Sequence, residues 1–149
     1  MVCSITYHFY YIHWHDVMKH KTHYRTVWLS DIHLGCKDCK AEYLLDFLNH
    51  STIDTLFLVG DIIDLWALSK KFLWPASHNT LLHKLLSLPD TDASGHQTRV
   101  IYLPGNHDEP AQQYDNMSFG HVEIRREYIH TTANGKKLLL LHGDQFDSE

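Results

Sequence analysis

Nowhere in the 149 residues of this chain do about 18 apolar residues run together, the length a helix needs to span a bilayer. Basic charge is also in short supply. Thirteen Lys and Arg against eighteen Asp and Glu leave a net charge of −5, which argues against a nucleic-acid-binding protein. Cysteine is scarce and odd in number, three in all, so the expected setting is a reducing cytoplasm rather than a secreted disulfide framework. Cys36-Lys37-Asp38-Cys39 has the spacing of a zinc pair, but Cys3 is the one thiol left to join it, too few for a structural site. No basic segment leads into a continuous apolar core near Met1, so no secretory signal is expected. Repeats and low-complexity tracts are absent too. What remains is a 44% apolar chain, enough for one globular domain with a real core.

The informative features lie where apolar runs end. Val27-Trp28-Leu29-Ser30 leads into Asp31-Ile32-His33, and Leu56-Phe57-Leu58-Val59 into Gly60-Asp61-Ile62-Ile63-Asp64. Val100-Ile101-Tyr102-Leu103-Pro104 leads into Gly105-Asn106-His107-Asp108, and Leu138-Leu139-Leu140-Leu141 into His142-Gly143-Asp144. Side chains alternate along an extended strand, so Asp31 and His33 leave its end on one side, as two ligands of one metal must. Open α/β sheets place ligand sites at the carboxyl ends of their strands. Any one block alone reads more simply as a turn, since Asp bonds its own backbone and Asn tolerates left-handed conformations. Four in succession, each after an apolar strand, point to metal ligation.

The series resembles the calcineurin-like metallophosphoesterases, whose pattern reads D-x-H, G-D-x-x-D, G-N-H-D/E, a strand-end His, and then G-H-x-H. The resemblance implies two divalent ions, with Mn²⁺ expected and Fe or Zn²⁺ compatible with the same O/N donors. It makes Asp61 the shared ligand, gives Asp31 and His33 to the first ion, and gives Asn106 and His142 to the second. It makes His107 a catalytic group beside the substrate phosphate, with Asp108 supporting His107 and Asp64 supporting the metal shell. The chemistry suits those residue types independently. Two cations about 3.5–4 Å apart clamp a phosphoryl group and stabilise both its attacking and leaving oxygens. Glycines at 60 and 105 let the backbone turn tightly where a Cβ would crowd.

The wording around the motifs is similar to the UDP-2,3-diacylglucosamine pyrophosphatase-like branch, through Arg25–Gly35, Leu58–Trp66, Trp74-Pro75 and His78-Asn79. That branch implies hydrolysis of a nucleotide-sugar pyrophosphate in lipid A synthesis, although its members often carry Arg where His107 stands. Trp66, Leu68, Phe72, Leu73 and Trp74 surround Lys70 and Lys71. These side chains either cover acyl chains or touch the inner membrane peripherally, or they pack on the core, which is the simpler expectation. The G-H-x-H block does not occur in the 149 residues. Residues 18–149 are therefore expected to be the N-terminal portion of the domain, with weak metal binding, low solubility and little hydrolysis when isolated. The alternatives are a catalytically weak fragment, a metal-binding partner module, or a phosphoesterase acting on another phosphoester.

The expected fold is α/β, a layered sheet sandwich with flanking helices. Strands are expected at Tyr24–Ser30, Thr55–Val59 and Arg99–Leu103, and helices at Ala41–His50 and Asn79–Leu88, the latter capped by Asn79. A further helical stretch after Asp64 should break near Pro75, and Thr91–Gln97 should be a polar loop. His121–Thr132 and Lys136–Leu141 should form a hairpin with a type I′ turn at Asn134-Gly135. Residues 1–17, rich in His, Tyr and Trp without clean alternation, are expected to be a disordered tail or the product of a misassigned start.

Overall fold

The computed structural model describes residues 21–146. The expectations for residues 1–17 and for Cys3 lie outside them. Five strands form the main sheet: β1 (Thr22–Leu29), β2 (Ser51–Val59), β3 (Arg99–Leu103), β4 (Ser118–Phe119) and β5 (Val122–Ile124), in the order β1-β2-β3-β5-β4. β1, β2, β3 and β5 run parallel, and β4 is antiparallel to β5. A second, two-stranded sheet joins β6 (Tyr128–Thr131) to β7 (Lys137–Leu140). Helices α1 (Ala41–Asn49), α2 (Leu65–Lys70) and α3 (Ala76–Ser87) complete the α/β architecture.

Alternation along the central strands builds two cores. Leu56 and Leu58 of β2 and Val100 of β3 pack with Leu48 of α1 and with Leu81 and Leu85 of α3. Phe57, Ile101 and Leu103 point to the other face, against Tyr128 and Leu140 of the second sheet. The molecule is therefore layered helix, sheet, sheet. Ile129 and Leu139, paired across the β6–β7 ladder, remain 62% and 58% exposed on its outer side, an apolar surface of the kind that invites association.

Four elements differ from the sequence expectations. Strand β2 starts at Ser51, because Ser51–Ile53 already pairs with Thr22–Tyr24 directly after the end of α1. Helix α3 begins at Ala76, one turn before Asn79. The carbonyl of Pro75 accepts the N–H groups of His78 and Asn79, and Pro75 itself has no donor to leave unpaired. α2 ends at Lys70, where Lys71 turns extended at φ −153°, well before Pro75. The long strand expected over His121–Thr132 is two strands in different sheets. Arg125, Arg126 and Glu127 separate β5, which joins β3, from β6, which joins β7. The hairpin turn also differs. Only Gly135 of the Asn-Gly pair enters the left-handed region, at φ 79°, and its N–H bonds Thr132 O, so the loop is a type I turn with a glycine bulge.

Candidate metal centre

The turns after β1, β2, β3 and β7 meet at one end of the sheet. The first two are zipped together by main-chain bonds. Asp31 N–H donates to Gly60 O, His33 N–H to Asp61 O, Leu34 N–H to Ile62 O, and Asp64 N–H back to Leu34 O. Asp31, His33 and Asp61 adopt φ of 55°, 53° and 55°, left-handed values that non-glycine residues seldom take. Such strain persists where surrounding structure enforces it, and it clusters at functional sites. Of the four non-glycine residues with such values among the described residues, three are the ligands expected from the first two motifs, and the fourth is Asn116.

Asp61 lies at the focus. It is buried, and its Oδ1 accepts the backbone N–H of His107 at 2.9 Å. Its Oδ2 faces three imidazoles: Nε2 of His33 at 3.8 Å, of His107 at 3.9 Å and of His142 at 3.8 Å. Asp31 Oδ1 stands 3.9 Å from His33 Nε2. The donor atoms form two overlapping groups, His33–Asp61–His107 and Asp31–Asp61–His142, which share only Asp61, a division other than the expected one of Asp31 with His33 and Asn106 with His142. Donors about 2.1 Å from a common ion stand about 3–4.2 Å apart, depending on the angle between them, so the observed separations suit ligation. Asn106 is half-buried on the same turn, between Gly105 and His107.

Asp64 orients two of the imidazoles. His107 Nδ1 donates to its Oδ1 at 2.9 Å and His33 Nδ1 to its Oδ2 at 3.1 Å. Oδ1 also caps α2 by accepting Ala67 N–H at 2.7 Å. Burial pushes the Asp64 carboxyl up, but the bonds from His107, Ala67 and His33 outweigh it and hold the group below its usual range. With both Nδ1 atoms donating, His33 and His107 present bare Nε2 lone pairs towards the Asp61 carboxylate. Lone pairs converging on an anionic oxygen make a donor set that a cation can fill.

His142 gives a second sign of fit. Its ring lies where a Cβ at Gly60 or Gly105 would be, with Nε2 towards Asp61 and the buried Nδ1 at 3.5 Å from Asp144 Oδ1. Both glycines are thus cut to admit the imidazole. Asp31, His33, Asp61 and His142, with His107 beside them, make a mixed carboxylate and imidazole set suited to a divalent cation.

The family model for calcineurin-like phosphoesterases matches residues 24–149. The chain belongs to this family. Calcineurin-like phosphoesterases use divalent metals, and the donor groups around Asp61 are where this chain would hold them. Two curated relatives are UDP-2,3-diacylglucosamine hydrolases. That of Psychromonas ingrahamii is 27% identical over 125 residues, which cover 80% of this chain and 47% of the relative. That of Blochmanniella pennsylvanica is 26% identical over 124 residues, or 79% of this chain and 46% of the relative. The chain spans about half the length of the curated relatives it matches. No solved structure matches it significantly. Among the described residues no helix is long and apolar enough to cross a membrane.

Two further features of this chain differ from the reading of its motifs. Asp108, expected to support His107, turns its buried carboxylate to the backbone. It accepts N–H bonds from Gly105 at 2.6 Å, Ile62 at 2.7 Å and Asp61 at 3.3 Å, and so clamps the β2 and β3 turns together. Asp64 instead holds His107. The second feature is Trp66, which sequence reasoning weighed only as a lipid-facing or core aromatic. Its ring lies 4.2 Å from the His107 ring, tilted by 31°. Its place two residues after Asp64, at the start of a helix capped by that Asp, was the available signal. Of its neighbours in the aromatic stretch, Trp74 packs on the helix-side core while Phe72 is 78% exposed.

Proposed function

We propose that this chain carries the metal-binding half of a phosphohydrolase that cleaves the pyrophosphate of a UDP-diacylglucosamine-like nucleotide sugar, as in lipid A synthesis. The supporting observation is Asp61, a buried carboxylate facing the Nε2 atoms of His33, His107 and His142 at 3.8–3.9 Å. Two divalent ions, Mn²⁺ in the first instance, would be held by Asp31, His33, Asp61, Asn106 and His142, and would supply charge neutralisation at a phosphoryl group and an acidified water. The chain's own residues do the rest. Asp61 keeps the two halves of the donor set together. Asp64 fixes His33 and His107 in the tautomer that leaves Nε2 free. His107, half-buried at the rim, is placed to stabilise charge on the phosphoryl oxygens or to hand a proton to the leaving group. The mainly apolar pocket of about 480 Å³ beside Asp31 and His33 leaves room for a ligand against the site.

The two relatives named for UDP-2,3-diacylglucosamine support this substrate. His107 supports a second reading, hydrolysis of a different phosphoester, because members of that branch often carry Arg at this position. The working location under the first reading is the cytoplasm, with peripheral contact at the inner membrane through exposed Trp66 and Phe72. Hydrolysis assays with Mn²⁺, comparing UDP-2,3-diacylglucosamine with bis(p-nitrophenyl) phosphate, separate the two. Release of UMP from the first supports the lipid-linked substrate, turnover of only the second favours the broader phosphoesterase, and turnover of neither sinks both and favours the catalytically weak fragment.

A further inference from the structure

His107 is held from four directions by one short stretch of chain. Asp61 Oδ1 accepts its backbone N–H at 2.9 Å, and its carbonyl accepts the N–H of Leu65 at 3.2 Å. Asp64 Oδ1 accepts its Nδ1–H at 2.9 Å. The fourth contact is Trp66, whose ring centre lies 4.2 Å from that of the imidazole at an interplanar angle of 31°, and the ring of His33 also stands against it, perpendicular at 4.8 Å. A hydrogen bond at Nδ1 fixes that atom but leaves the plane free to swing about it. A tilted indole and a perpendicular imidazole packed against the ring restrict that freedom, and they keep Nε2 directed at Asp61 Oδ2, 3.9 Å away.

Trp66 does little for the core. It is 50% exposed and sits on a six-residue helix with no buried residue. Its close aromatic partner is His107. The helix that carries Trp66 is capped by the same Asp64 that binds His107, so cap, stacking ring and imidazole orientation form together.

From this geometry we infer that Trp66 is a positioning residue for His107, fixing the plane of its imidazole at the rim of the metal centre. The inference rests on the proposed hydrolytic role for its effect on turnover, but the orientation itself is independent of that role. An aromatic ring above an imidazole shields its carbon-bound protons. Nuclear magnetic resonance of the metal-free chain with ¹³C,¹⁵N-labelled histidine should therefore show the His107 ring protons shifted upfield. The shift should be lost in Trp66→Leu and largely restored in Trp66→Phe, with the far-ultraviolet circular dichroism of all three unchanged. In the Mn²⁺-loaded protein acting on bis(p-nitrophenyl) phosphate, kcat should fall about 10-fold in Trp66→Leu, as for other supporting contacts. KM and metal content should stay unchanged, and Trp66→Phe should recover most of the rate. A His107 signal identical in wild type and Trp66→Leu overturns the inference whatever the hydrolysis assays show. A shifted signal without any hydrolysis leaves the positioning intact and counts against the proposed function instead.

Discussion

The Asp108 carboxylate accepts the Ile62 backbone N–H at 2.7 Å, so the turn after β3 is bolted to the turn after β2. Asp108 is 2% exposed, and the same carboxylate takes Gly105 N–H at 2.6 Å. Removing it leaves buried donors without an acceptor, each costing about 1–3 kcal/mol. Asp108→Ala should therefore destabilise the fold by about 2–5 kcal/mol in urea titrations. A loss below about 1 kcal/mol would mean water or a neighbour replaces the carboxylate and the clamp is dispensable.

Gly105 tests the cradle. It has no left-handed torsion to lose, so Gly105→Ala isolates the steric effect of one methyl group against His142 and Asp61. The expected cost is about 1–3 kcal/mol, typical of overpacking, together with weaker Mn²⁺ binding by the folded protein. Unaltered Mn²⁺ affinity measured by calorimetry would show that His142 does not need its present position.

His107 separates ligand from catalyst. Its Nε2 is as close to Asp61 as that of His33, so geometry alone permits either role. Under the proposed role His107→Ala retains its ions and slows phosphodiester cleavage by about 10²–10⁴-fold. Loss of metal in step with activity, followed by elemental analysis, would make His107 a ligand.

How much was legible in the sequence depended on the range of each contact. The motif residues announced themselves because each follows an apolar strand: β1, β2 and β3 run parallel and so end at one edge, and β7, from the second sheet, brings His142 to the same place. Asp108 was misread because it adjoins His107 in the chain. In a tight turn neighbours diverge, and the carboxylate that reaches the imidazole comes from Asp64, 43 positions away. The break between β5 and β6 was hidden because apolar alternation resumes after Arg125-Arg126-Glu127, and nothing local says that the chain changes sheets. The start of α3 was placed at Asn79 by its capping propensity. The buried His78, whose Nδ1 accepts the Gly35 N–H at 3.1 Å, draws the helix one turn earlier.

His78 also yields a pH dependence. Burial holds its pKa below the usual 6.5, so the unfolded chain binds the proton more readily than the folded one. Its contribution to stability is thus complete above about pH 6.5 and is lost as pH falls from there towards the folded value. Urea midpoints between pH 7.5 and 5 should fall more steeply for wild type than for His78→Gln. Parallel curves would show that His78 is not kept neutral by the fold.

The assignment of Asp61 as the shared ligand is tested most directly by Mn²⁺ uptake, with Asp64→Asn as the internal comparison. Electron paramagnetic resonance can follow free Mn²⁺ titrated with wild type, Asp61→Asn and Asp64→Asn. Because both donor groups include Asp61, Asp61→Asn should abolish paired loading and metal-dependent cleavage together. Asp64→Asn, at a residue that orients His33 and His107 and stands in neither donor group, should weaken affinity by about 10–100-fold. Equal Mn²⁺ uptake by wild type and Asp61→Asn would contradict the shared-carboxylate account.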